Sequence, residues 1–110
     1  MTDKIVVLVN CGNSKEAEAL AKSLVEKRLA ACVNVVPGLV SWYWWENKLT
    51  QDTEVLLIIK SSRGNLPELE KEVLRLHSYA VPEIIALPIV EGSVNYLNWM
   101  EQSLRKGNAP

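Results

Sequence analysis

Val55-Leu56-Leu57-Ile58-Ile59 is a run of apolar residues closed by Glu54 on one side and Lys60 on the other. A run of this length, rich in β-branched residues, reads as a strand buried on both faces, because successive side chains point to opposite sides. Ile5–Val9 and Ile84–Leu87 repeat the pattern. A sheet with one wet face alternates apolar and polar residues, and these three runs do not. The sheet they build therefore needs cover on both sides.

Working outward, the runs are separated by helical patterns. Asn10-Cys11-Gly12-Asn13-Ser14 supplies turn chemistry, and Asn13 with Glu16 has capping-box spacing, with Ser14 as a rival N-cap. Ala17, Leu20, Ala21, Leu24 and Val25 then recur at helical intervals, predicting a helix that ends near Arg28. Cys32–Val36 is a second strand, interrupted at Pro37-Gly38, where a bulge is expected because Pro cannot donate to a ladder. It resumes as Leu39-Val40-Ser41-Trp42-Tyr43-Trp44-Trp45, turns at Glu46-Asn47-Lys48, and returns as the long strand Leu49–Lys60. Asn65 and Glu68 again have capping-box spacing, with Pro67 suited to a first helical turn and Leu66, Leu69, Val73 and Leu76 as the buried stripe. A strand over Glu83–Val90 follows, with Pro88 marking an edge. Gly92-Ser93 opens a last helix whose apolar side is Val94, Leu97, Met100 and Leu104.

The order β-α-β-β-α-β plus a terminal helix predicts an α+β, ferredoxin-like sandwich with a long hairpin between its second and third strands, as a single domain over residues 1–110. Right-handed crossovers put both main helices on one face. A single terminal helix is too little to cover the other, so the chain is expected to work as an oligomer. The hairpin aromatics point the same way. Trp42 and Trp44 face one side and Tyr43 and Trp45 the other, and each packed ring buries roughly 150–250 Å². They read either as anchors between subunits or as a platform on which a ligand stacks.

Composition narrows the function. Lys plus Arg number 12 and Asp plus Glu 13, for a net charge of −1, which supplies no general field for nucleic acid or an anionic membrane. No apolar stretch approaches the ~20 residues of a membrane span, and the N-terminus has no signal-peptide pattern, so a cytoplasmic chain is expected. Cys11 and Cys32 lack the spacing of a disulfide framework or a Cys-x-x-Cys site. Cys32, among Ala30, Ala31 and Val33, reads as a small apolar core residue. There is no Ser-His-Asp order, glycine-rich phosphate loop or His-x-x-x-His pair, so no enzyme and no organic cofactor are expected.

The ordered set Arg28–Asn34, Pro37-Gly38, Ser41, Tyr43, Trp45, Asp52, Glu54, Lys60, His77, Tyr79, Val81-Pro82-Glu83-Ile84, Tyr96-Leu97 and Trp99 resembles the divalent-cation tolerance (CutA) family over nearly the whole chain. That resemblance implies a ferredoxin-like subunit in a tight homotrimer, similar in architecture to the PII signalling proteins, with sites in clefts between subunits. It also implies tolerance of copper and other divalent cations, with no enzymatic activity established for the class. In a bacterial member the copper ligands are a Cys near the end of strand one and a His pair before the Tyr. Here Val9 holds the strand-one position with Cys11 two residues later, and the His pair becomes Leu76-His77. Asn47 stands at a turn position where the family usually has Gly. Ser78 replaces a Pro, which predicts a looser exit from helix two.

The candidate metal residues are accordingly His77 and Cys11, for copper or another divalent cation. His77 also suits a helix C-terminus simply by its charge. Glu54, Lys60, Tyr79 and Glu83 are the candidate cleft residues, either as a ligand site or as a polar network between subunits, and Trp42, Tyr43, Trp44 and Trp45 the candidate trimer interface. The expected function is a homotrimeric copper-tolerance protein binding metal in inter-subunit clefts. The alternative is a PII-like signalling or scaffolding trimer that binds a small organic ligand and an unknown protein partner.

Overall fold

A computed structural model describes residues 2–105 of the chain. Its elements are β1 (Lys4–Cys11), α1 (Ser14–Glu26), β2 (Cys32–Trp45), β3 (Lys48–Ser62), a 3₁₀ turn (Arg63–Asn65), α2 (Leu66–Leu76), β4 (Ile84–Pro88) and α3 (Val94–Leu104). The sheet order is β2-β3-β1-β4, and every neighbouring pair is antiparallel. This is the ferredoxin-like α+β arrangement that the sequence predicts.

Strand parity divides the apolar runs between two faces. Ile5, Val7, Val9 and Cys11 of β1 and Val55, Leu57 and Ile59 of β3 are buried against Ala17, Leu20 and Leu24 of α1 and Leu69 and Val73 of α2. Val6, Leu8, Leu56 and Ile58 point the other way and are only half-buried. β4 extends that second face with Ile85 opposite Leu8 and Leu87 opposite Val6, each about half exposed. α3 covers one end of the sheet through a separate cluster of Ala31, Met100 and Leu104, and is tied to β1 where Lys4 Nζ meets Glu101 at 2.7 Å. The rest of the second apolar face lies open in the single chain.

The hairpin stretches the chain to a longest extent of 47 Å. Trp45 pairs with Lys48, so only Glu46 and Asn47 form the turn, and both have positive φ (50° and 63°). A two-residue turn with both centres left-handed is the type that matches strand twist, and it explains Asn at position 47. The expected irregularity at Pro37-Gly38 is a register shift between Val36 and Leu39, with Gly38 at φ 77°. No helix of the described residues is long and apolar enough to cross a membrane.

Three local expectations are corrected. Helix one stops at Glu26, because Arg28 adopts φ 61° and the amides of Leu29 and Ala30 turn back to the Leu24 carbonyl. Asn13 does cap α1, its side chain accepting from the Glu16 amide at 2.8 Å, but Asn65 makes no side-chain cap because the 3₁₀ turn already places it in helical geometry. The last strand is Ile84–Pro88, shorter than Glu83–Val90, and it forms an outer edge of the sheet where Pro88 loses no ladder bond.

Candidate functional site

On the helix-free face, where the long hairpin leaves the body of the sheet, lies a cleft of about 630 Å³. Thr50, Asp52 and Glu54 line it from alternate positions of β3, and Tyr43 and Trp45 from β2. Asn10 contributes from β1, and the segment Tyr79–Glu83 closes the far side. Period-two alternation is the reason the strand residues among them meet, since each shares a face with the half-buried Leu56 and Ile58. Among the described residues the lining holds three carboxylates, Asp52, Glu54 and Glu83, and no Lys, Arg or His.

Two phenol–carboxylate pairs organise the acid groups. Tyr79 Oη donates to Glu54 Oε2 at 2.9 Å, and Tyr43 Oη donates to Asp52. Burial, followed by the hydrogen bond to Glu54, holds the Tyr79 phenol well above the ordinary tyrosine range. The bond to Asp52 does the same, more modestly, for Tyr43. Both phenols are therefore donors at neutral pH rather than anions. Glu54 itself is buried, and Asn10 Oδ1 is a buried acceptor with no hydrogen-bond partner among the described residues. Gly12 leaves room for the Tyr79 ring, for a Cβ there would stand 3.2 Å from Tyr79 Oη.

His77 lies behind this cleft rather than in it. It ends α2, and its ring is fully enclosed. Nε2 meets the Asn10 carbonyl at 2.6 Å, and Nδ1 meets the Tyr79 backbone N–H at 3.0 Å. A carbonyl can only accept and an N–H can only donate, so these two bonds select the tautomer with its proton on Nε2, and Glu16 Oε1 also stands 3.5 Å from Nδ1. Both nitrogens are committed, and the ring packs on Tyr79 at 4.7 Å. Cys11 points to the helix side of the sheet, fully buried in the main core. Burial first, then the charges of Glu16 and Glu54, push its thiol up to about 11. Among the described residues no group of three or more His, Cys, Asp and Glu is placed to hold a metal ion.

The structure thus brings together Glu54, Tyr79 and Glu83 of the predicted cleft set, with His77 as their backing. Lys60 is not with them. It lies six residues from Glu54 along β3, roughly 20 Å at strand spacing, and its Nζ donates to Asn34 Oδ1. The aromatic stretch splits as expected, Tyr43 and Trp45 toward the cleft and Trp42 and Trp44 beside Gln51 and Leu49 on the opposite face. All four are exposed in the single chain, Trp44 by 72%. Sequence reading missed Asn10, Thr50 and Asp52 as cleft residues, although strand parity, which puts Thr50 and Asp52 on one face with Glu54, was the available signal. It also misjudged Ser78. Far from loosening the end of α2, its N–H and Oγ both donate to the Glu16 carboxylate, at 2.5 and 2.9 Å, and a Pro could make neither bond.

Comparison with known proteins agrees with this geometry. The profile of the family described as CutA1 divalent ion tolerance protein matches residues 5–103. The divalent-cation tolerance protein CutA of Thermus thermophilus is 48% identical over 98 residues, covering 89% of this chain and 95% of that one. The chloroplastic CutA 1 of Oryza sativa is 48% identical over 102 residues, but the chain spans only 58% of its length. The crystal structure of CutA1 from Oryza sativa superposes with a TM-score of 0.91, covering 94% of each chain at 48% identity. That of CutA from Xylella fastidiosa gives 0.92, covering 94% of this chain and 100% of the other at 33% identity. Fold and sequence agree, and the chain belongs to the CutA1 divalent ion tolerance family.

Proposed function

We propose that this chain serves divalent-cation tolerance in the cytoplasm as a homotrimer, by holding copper or another divalent cation in clefts between subunits. The observation that carries the reading is the acceptor-rich cleft, with Asp52, Glu54 and Glu83 in one lining that contains no cationic side chain among the described residues. Carboxylates suit hard cations and are accepted by Cu(II) and Zn(II). One subunit supplies an incomplete donor set, so a neighbour packed on the open apolar face would complete it. The role is binding rather than turnover. His77 and Cys11 stand outside the donor set, the first because both its nitrogens are engaged and the second because its thiol is buried and protonated.

The test is equilibrium titration of the purified oligomer with Cu(II) and Zn(II), comparing wild type, Glu54→Gln and Cys11→Ser. Glu54→Gln is expected to weaken binding by about tenfold or more, the effect of losing one charged contact, and Cys11→Ser to leave it unchanged. Unchanged affinity in Glu54→Gln would refute the site.

A second reading is favoured by the aromatic half of the cleft. Tyr43, Trp45 and Tyr79 offer ring surface that a bare cation does not require. A signalling or scaffolding trimer that binds a small organic ligand would use it.

A further inference from the structure

We infer that the cleft between the hairpin and the Tyr79–Glu83 segment binds a small organic cation through its ammonium or guanidinium group. This rests on the second, organic-ligand reading and names the ligand class. Four observations converge on it. The cleft holds about 630 Å³, within the ordinary range of small-molecule sites and far more than a single ion needs. Its walls include Tyr43, Trp45 and Tyr79, exposed by 37%, 63% and 39% in the single chain, so they offer ring surface either to a ligand or to a neighbouring copy. Asp52, Glu54 and Glu83 stand beside those rings with no positive side chain among the described residues of the lining. Asn10 Oδ1 is a buried acceptor without a donor among those residues.

Each class of ligand fares differently against that lining. A phosphate or carboxylate ligand meets three like charges and is repelled. A neutral ligand desolvates carboxylates without compensating them. An ammonium or guanidinium supplies N–H donors to Glu54 and Asp52 while its charge rests against an aromatic face. The two tyrosines refine the selection. Each phenol already donates to a carboxylate, which fixes that carboxylate's orientation and leaves its remaining lone pairs for an incoming donor.

The experiment is calorimetric titration of the wild-type oligomer with 1,4-diaminobutane and with agmatine, in EDTA to remove metals, with 1,4-butanediol as the uncharged control. Saturable binding of an amine but not of the diol is expected. Glu54→Gln and Trp45→Ala are each expected to weaken it by about tenfold or more, with thermal melts confirming that both variants fold. Absence of saturable amine binding to wild type overturns the inference, as does equal binding of the diol. So does a wild type that binds no amine while Glu54→Gln lowers the oligomer's mass, for the carboxylates would then be holding a neighbour's basic side chain. Because metal is absent from this titration, its failure leaves the divalent-cation reading standing. Amine binding here with no metal binding in the other titration would instead leave the organic ligand standing alone.

Discussion

The imidazole of His77 bridges two segments: Nε2–H donates to the Asn10 carbonyl at 2.6 Å while Nδ1 accepts the Tyr79 amide at 3.0 Å. The chain's one histidine thus joins the end of β1 to the loop that presents Tyr79 to the cleft. A side chain that looks like a metal ligand in sequence acts here as a latch.

His77→Ala should therefore destabilise the metal-free protein by about 2–4 kcal/mol, combining an orphaned carbonyl with the lost packing of a buried ring. Urea unfolding in EDTA measures this. A histidine kept only for metal would show wild-type stability under those conditions. Nitrogen NMR of the ring at neutral pH should report the Nε2–H tautomer.

Cys11 should resist alkylation in the folded protein, since its thiol is held up at about 11 by burial. Cys32 is only partly buried and should label first, with mass spectrometry locating the adduct. Because a raised acid pKa favours the protonated form in the folded state, its contribution is complete at neutral pH. It is lost as pH rises from the usual 9.0 through about 11. Cys11→Ala should flatten that alkaline decline in stability.

Glu72 joins the two helices, accepting from Ser23 of α1 at 2.5 Å, Lys27 at 2.9 Å and Arg75 of α2 at 2.8 Å. The Arg75 hydrogen bonds, then those from Ser23 and Lys27, hold its carboxyl well below the usual 4.5. A depressed carboxylate stabilises the fold fully above its unfolded value of 4.5 and loses that contribution progressively as pH falls from there toward its lower folded value. Glu72→Gln should be less stable than wild type at pH 7, with the gap closing below pH 4.5. A constant gap across an acid titration followed by circular dichroism would sink this assignment.

Replacing the hairpin turn Glu46-Asn47 by Asn-Gly should stabilise the chain by about 1 kcal/mol, because a Glu at φ 50° carries strain that Asn tolerates better. The melting temperature should rise with no change in the cleft, since neither turn residue lines it.

The parts of this molecule legible in sequence are those set by periodicity and turn chemistry. The apolar run Val55–Ile59 announced a sheet apolar on both faces, Pro37-Gly38 announced the bulge, and Asn13 announced the cap of α1. The site was legible as a set of residues and not as a place. Parity along β3 would have put Asp52 and Thr50 beside Glu54, but the grouping with Asn10 depends on strand order. Lys60 looked equivalent to Glu54 because both are charged residues flanking an apolar run, and only the length of the strand separates them. His77 was ambiguous for a deeper reason. Whether an imidazole has a free lone pair depends on which backbone atoms meet its two nitrogens, and no local pattern encodes that.

The open face of Leu8, Ile58, Ile85 and Leu87 began as a demand for some partner; the structure locates it and adds the exposed hairpin beside it. Light scattering on the purified chain at micromolar concentration tests whether copies of this chain cover that face and complete the cleft. A trimer has three times the 12.3 kDa chain mass, and that is the expected value. A mass of one chain would contradict it.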